Sequence, residues 1–331
     1  MILNQFNGLN SKLYNRRTTT GFNRGIPMRQ FLGYFGLFML VGCAVNPVTG
    51  ERTLNFMSED WERSVGAEQY APLRQSQGGD FILDPQLTSY VQGIGDSLAS
   101  HAKRDLDWEF HVLNDSTPNA WALPGGKIVV NRGLLIEMES EAELAAVLGH
   151  ELVHADAAHG ARAQSKGVLT QVGALGGMVL LGSEVDDRIL RQVGMLGIQL
   201  GSQLVTTAYG RDAERESDLY GMRYMSAAGY DPQGAVELQE TFLELSEGRN
   251  QNWLSGLFSS HPPSRERVEN NKKTAASLPA GGELGRARYK KKMVYLTSLQ
   301  PAYDAYDQGR KALAEEKPAE ARKLANAAIE H

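Results

Sequence analysis

The chain has a single cysteine, Cys43, among 331 residues, so no intramolecular disulfide can form. It also lacks an excess of positive charge. Its 34 Lys and Arg stand against 39 Asp and Glu, a formal net charge of −5 without long basic runs, which argues against nucleic acid as the main partner. Nor is there an unbroken apolar run of the roughly 20 residues a spanning helix wants. Residues 28–43 are apolar but too short, and the charge-free stretches 167–183 and 192–210 are interrupted by Gln171, Gln199 and Gln203. What remains is enough chain for one sizeable core and a small appendage.

The stretch that organises the chain is Gly149-His150-Glu151-Leu152-Val153-His154, an H-E-x-x-H pattern inside a helix. Ser140 with Glu143 forms a capping-box start and Gly160 a stop, which predicts a helix over 141–159. His150 and His154 then lie one turn apart on one face, at the spacing two imidazoles need to grip one zinc ion. Glu151 projects beside them, where a carboxylate can take a proton from an attacking water. A catalytic zinc held by two histidines needs a third protein ligand. A further histidine at position 160 would supply it in one related pattern, but that residue is Gly160. The stretch 211–218 offers Glu214 as third ligand and Asp218, one turn on, as the acceptor of an imidazole N–H. Taken alone this stretch reads as a solvated acidic helix face; beside the first helix it reads as a ligand source. His159 falls about 180° round the helix from His150 at 100° per residue and is not counted as a ligand. His101 and His111 have no partner pattern and read as structural.

Residues 28–43 combine a positive charge, a short apolar run and a small residue before Cys43, the make-up of a secretory signal. Leu40-Val41-Gly42-Cys43 looks like a lipobox, which makes Cys43 an acylated mature N-terminus; Met28 is a candidate for the true start. Ala44 after the cysteine, by resemblance to bacterial lipoproteins, implies the outer membrane. Further on, a helix is expected around 58–70 and a loop over 75–80. Another helix is expected from Asp84-Pro85 to about His101, with Leu87, Val91, Ile94 and Leu98 at core spacing. Strands are expected over 108–113 and 127–131, with Pro124-Gly125-Gly126 as the turn before the second. Pro232 opens a helix to about Glu247, and a loop with Trp253 and Phe258 leads to His261-Pro262. Residues 303–331 read as one helix-turn-helix that fits part of a tetratricopeptide pattern.

HELVHADAAH followed by ERESD resembles the HtpX and CAAX-prenyl-endopeptidase family of zinc metallopeptidases, gluzincins, and within it a bacterial lipoprotein branch. Asn46-Pro47-Val48-Thr49-Gly50, the segment 119–126, and His261-Pro262 with Arg267 fit as well, so the likeness covers roughly 44–270. Ser217 departs from the related pattern, which usually has alanine before the aspartate. The resemblance implies a mainly helical α+β fold: a zincin-like metalloprotease domain with a small β-sheet bordering the cleft, plus the C-terminal helical hairpin. It implies one Zn2+ per chain on His150, His154 and Glu214, with Glu151 catalytic and Asp218 and Arg267 supporting. Asn119, Ala120 and Ala122 are the expected substrate-binding strand, where small side chains let a peptide backbone add as a strand; an ordinary hairpin flank is the competing reading. His261 is expected either to cap the zinc and hold the enzyme latent or to steady the oxyanion. The stretches 167–183 and 192–210, where integral-membrane relatives carry spans, are expected to cover the cleft or rest on a membrane surface.

The expected organisation is a signal over 1–43, a peptidase domain over 44–275, a linker over 276–302 and the hairpin over 303–331. The expected activity is endoproteolysis of misfolded or stalled envelope proteins in outer-membrane quality control. Expected partners are peptide substrates, the membrane through Cys43, and outer-membrane assembly machinery through the C-terminal helices. The competing class is a latent periplasmic chaperone or scaffold with structural zinc.

Overall fold

A computed structural model describes residues 43–180, 209–247 and 255–330. The signal over 28–42, Met28, Trp253 and most of 192–210 therefore lie outside the described residues.

In chain order the elements are β1 (Cys43–Val45), β2 (Arg52–Leu54), α1 (Glu59–Ser76), α2 (Pro85–Ala99), β3 (Glu109–Leu113), β4 (Ala120–Leu123), β5 (Lys127–Asn131), α3 (Arg132–Glu137), α4 (Glu141–Asp156), α5 (His159–Leu180), α6 (Arg211–Ala227), α7 (Gln233–Glu247), α8 (Ser255–Ser260), α9 (Arg265–Ser277), α10 (Arg286–Ser298), α11 (Gln300–Ala314) and α12 (Pro318–Glu330). The described residues are mainly helical, as expected, and carry two small sheets where one was expected. No described helix is long and apolar enough to cross a membrane.

The larger sheet has strand order β3-β5-β4, with β3 parallel and β4 antiparallel to β5. Period-two alternation splits its side chains between two faces. Phe110, Val112, Ala120, Ala122, Ile128 and Val130 enter the main core, while Leu113, Trp121, Leu123 and Val129 pack with Tyr70 of α1. Trp121 is thus a packing residue, and its Nε1 donates to Gln77 at 3.0 Å.

Every residue of α4 is buried, as befits a helix with neighbours on all sides. Ser140 Oγ accepts from Glu143 N at 3.1 Å, the capping-box half that the sequence predicts. The reciprocal half lands one residue early, with Glu143 Oε2 accepting from Glu139 N at 2.6 Å. The helix does not run on to 159. Ala158 takes φ 55, in the left-handed region, and breaks the chain into a new helix that begins at His159. Gly160 lies inside that second helix rather than ending the first.

Helices α4 and α6 cross where Gly149 meets Gly221. A Cβ built on Gly221 would stand 2.9 Å from Gly149 C and His150 N, so only glycine lets these backbones approach so closely. That crossing brings the H-E-x-x-H helix and the acidic helix within reach of each other. Buried Asp156 pins the far end of α4, accepting from the amides of Lys103 and Arg104 and from Tyr224 Oη at 2.7 Å.

Two expectations on local structure change. The stretch 276–302, read as a linker, carries α10, whose Tyr289, Met293 and Leu296 enter the main core; Tyr289 Oη donates to Leu135 O at 2.6 Å. Residues 255–260, read as loop, form α8, which abuts Asn119: a Cβ on Gly256 would stand 3.8 Å from Asn119 Cγ.

Candidate metal centre

His150, His154, Glu214 and His261 are all buried and each offers a ligand atom within 4.8 Å of the others. Five of the six separations lie between 3.1 and 3.5 Å. His150 Nε2 lies 3.1 Å from His154 Nε2, 3.2 Å from His261 Nδ1 and 3.4 Å from Glu214 Oε2. Glu214 Oε1 lies 3.5 Å from His154 Nε2 and 3.2 Å from His261 Nδ1. Four ligands at the roughly 2.0–2.1 Å bond lengths of a tetrahedral zinc stand about 3.3 Å apart, so this donor set has the right size and chemistry for that ion.

Each element contributes for a local reason. One turn of α4 separates His150 from His154, the Gly149–Gly221 crossing presents Glu214 from α6, and α8 delivers His261 at its C-terminal end. Behind the cluster, Asp218 Oδ1 lies 2.9 Å from His150 Nδ1, and Arg267 grips both carboxylate oxygens of Asp218 at 2.7 Å. Arg267 Nη1 also reaches Glu214 Oε2 at 3.2 Å. A histidine that binds through Nε2 carries its proton on Nδ1, so His150 is set to donate to Asp218.

Burial raises the Glu214 carboxyl, but the His150 charge and the hydrogen bonds of His150, His154 and His261 more than reverse this and hold it well below the usual carboxylate range. Burial lowers His150, yet Glu214 and Asp218 push it up to about 10. Together the two carboxylates create a setting that favours a cation between these groups. Burial and the neighbouring His150 hold His154 well below its ordinary value, as a neutral imidazole suited to ligation.

Glu151 sits beside the cluster, 2% exposed, with Oε1 3.4 Å from His261 Nε2 and Oε2 buried without a hydrogen-bond partner. The side chains of Ala120 and Ala122 are built into the main core, so their small size leaves no groove. Asn119 Oδ1 is buried and unpartnered. Among the described residues nothing pairs the outer edge of β4. Cys43 opens β1, paired with Leu54 of β2.

Two residues not singled out by spacing also join the site. Tyr209 stacks on His154 with centroids 4.0 Å apart, and no motif marks it. His159 places Nδ1 2.8 Å from His154 Nδ1, and its Nε2 lies 3.4 Å from Glu216 Oε1. Glu216 is held in turn by Asn46 at 2.6 Å and Arg162 at 3.3 Å. The helical wheel hides His159 because it assumes a helix unbroken at Ala158.

Residues 85–275 match the model of peptidase family M48. The chain is 33% identical to mitochondrial metalloendopeptidase OMA1 of Schizosaccharomyces pombe over 236 residues, which are 70% of this chain and 66% of that protein. It is 30% identical to the beta-barrel assembly-enhancing protease of Escherichia coli K12 over 214 residues, 62% of this chain and 42% of the relative. The chain therefore spans between two fifths and two thirds of the length of these relatives. With the family model covering more than half of its length, the chain belongs to peptidase family M48.

Proposed function

We propose that the protein is a zinc-dependent endopeptidase in which His150, His154 and Glu214 hold the metal and Glu151 moves the proton. The observation that carries this reading is the close gathering of the buried imidazole and carboxylate atoms, with the Glu151 carboxylate beside them. Zinc in this position supplies a Lewis acid that polarises the scissile carbonyl and acidifies water. Glu151 accepts the proton of the attacking water and passes it to the departing amine nitrogen. Asp218, locked by Arg267, keeps the His150 ring in its binding tautomer.

His261 fits a latch. Its Nδ1 stands 3.2 Å from His150 Nε2 and from Glu214 Oε1, so it would serve as a fourth ligand in the position that a substrate carbonyl would otherwise take. This same closure favours the second reading, a latent protein that acts as a chaperone or scaffold with its zinc fully ligated.

The relatives named for β-barrel assembly, together with the lipobox-like 40–43, support a lipid-anchored periplasmic enzyme acting on misfolded or stalled outer-membrane proteins. We read α11 and α12 as a tetratricopeptide-like hairpin. Tyr306, Leu313 and Ile329 are exposed on it, which suits docking to assembly machinery. The edge of β4 is our choice for strand addition by an extended substrate.

Casein cleavage tests the proposal. The wild type is expected to cut and Glu151→Gln to lose 10²–10⁴-fold, on the order typical of a general base, while keeping its zinc. Equal cleavage by the two proteins contradicts it. Carbonate extraction of a Cys43→Ala form tests the anchor: retention in the membrane contradicts attachment by lipid alone.

A further inference from the structure

On the Glu151 side of the histidine cluster a cavity of about 40 Å³ lies between α4, α6 and α7. Val147, Met222, Leu238, Phe242 and Leu257 form its apolar wall. Three other lining residues each carry a buried polar atom without a hydrogen-bond partner: Glu151 Oε2, Ser217 Oγ and Gln239 Oε1. Their residues are 2%, 0% and 6% exposed. Seven such atoms occur among the described residues, and three of them converge on this one small space. Buried polar groups in folded proteins are ordinarily paired, so unpaired ones gathered round a cavity await something that enters it. A helical serine commonly returns its hydroxyl to the carbonyl one turn back. That of Ser217, the position where this chain departs from the related pattern, does not.

Glu151 decides which part of a substrate reaches the cavity. In the reaction proposed above it delivers a proton to the departing amine nitrogen. The side chain one carbon from that nitrogen is P1′, so a cavity with Glu151 in its wall is placed to receive it.

We propose that this cavity is the P1′ subsite and that it selects a glutamine-like side chain, an aliphatic stem ending in a neutral carboxamide held by Ser217 and Gln239. The proposal rests on the endopeptidase reading. The apolar wall covers the stem. At the tip the amide N–H donates to Gln239 Oε1 and the amide carbonyl accepts from the Ser217 hydroxyl, and a carboxamide suits the Gln239 end in either orientation of that amide. Among the charged lining residues Asp218 and Arg267 neutralise each other at 2.7 Å, and the unpartnered Glu151 carboxylate disfavours an acidic tip. The volume has room for about three waters, which matches the end of a glutamine and excludes an indole. A methionine or leucine of similar size fills the space but strands both polar groups, a loss of about tenfold.

The test starts from a casein cleavage site mapped by mass spectrometry. A peptide spanning it is made with Gln, Met or Leu at P1′, and kcat/KM is measured for each. The wild type is expected to favour Gln over Met by about tenfold. Gln239→Met and, as the gentler change, Ser217→Ala are expected to bring that ratio towards one. Equal rates on the Gln and Met peptides in the wild type, or a ratio that survives both substitutions, overturns the proposal. The same peptides are titrated calorimetrically into zinc-loaded Glu151→Gln, where the Gln peptide should bind about tenfold tighter. Equal affinities, or no binding of either, overturn the subsite. Failure of the wild type to cleave casein instead sinks the endopeptidase reading, and the amides of free Gln, Met and Leu, titrated into the zinc-loaded protein, then decide the pocket: no preference for the Gln amide overturns it.

Discussion

The imidazole of His159 backs onto that of His154, Nδ1 to Nδ1 at 2.8 Å, across the helix break at Ala158. If His154 binds metal through Nε2, its Nδ1 carries the proton and donates to His159, whose Nε2 faces Glu216. His159 is then a positioning residue for His154, as Asp218 is for His150. Replacing it with Ala is expected to weaken zinc 10–100-fold, on the order seen for such supporting groups, in competition titrations with a chromogenic chelator. His159→Asn, which keeps a polar partner, should recover part of the loss. Unchanged zinc affinity in both variants contradicts the role.

Gly149 and Gly221 set the distance between the helices that carry the histidines and Glu214. Gly221→Ala forces α4 and α6 apart against backbone atoms that cannot swing away. Overpacking of this kind typically costs about 1–3 kcal/mol, and zinc affinity should fall with it because Glu214 rides on the displaced helix. Thermal melts and zinc titration read the two effects together. A melt within error of the wild type would show that the crossing has slack.

His261→Ala separates latch from oxyanion support. A latch predicts faster casein cleavage, since His261 stands at ligand distance from both His150 and Glu214. Support of the oxyanion predicts slower cleavage, by about 10²–10³ for one lost donor. We expect the increase.

Asp218 gives a pH dependence with a definite sign. Burial pushes its carboxyl up, but the Arg267 ion pair and the hydrogen bonds of Arg267 and His150 outweigh burial and hold it below its ordinary 3.8. A depressed carboxylate contributes stability that is fully present above the unfolded value and is lost as pH falls through the lower folded value. With chelator present, so that metal loss is not what is read, the melting temperature of the wild type should drop steeply below about pH 4. Asp218→Asn should start lower at neutral pH, because Arg267 loses a buried partner, and show a shallower acid limb. Parallel limbs contradict this.

How much of this could be read from the chain depends on the residue. His150, Glu151 and His154 declare themselves because one helical turn is a fixed spacing, and Glu214 and Asp218 share a face for the same reason. Which distant carboxylate meets the histidines depends on a Gly149–Gly221 contact that no local pattern encodes. His159 was hidden by a single left-handed residue. Helix α10 has Tyr289, Met293 and Leu296 at helical spacing, but the run Lys290-Lys291-Lys292 between them masks the apolar face. The side chains of Ala120 and Ala122 are buried in the core, so a substrate strand at this edge would meet the backbone of β4 and not a groove left by small residues.

The central claim is that Glu214 shares one metal ion with His150 and His154. Zinc content by mass spectrometry after dialysis, for the wild type and Glu214→Gln side by side, tests it most directly. The account predicts one zinc per chain in the wild type and a variant that stays folded but loses its metal to a chelator the wild type resists. A Glu214→Gln protein that retains zinc as tightly as the wild type would contradict it.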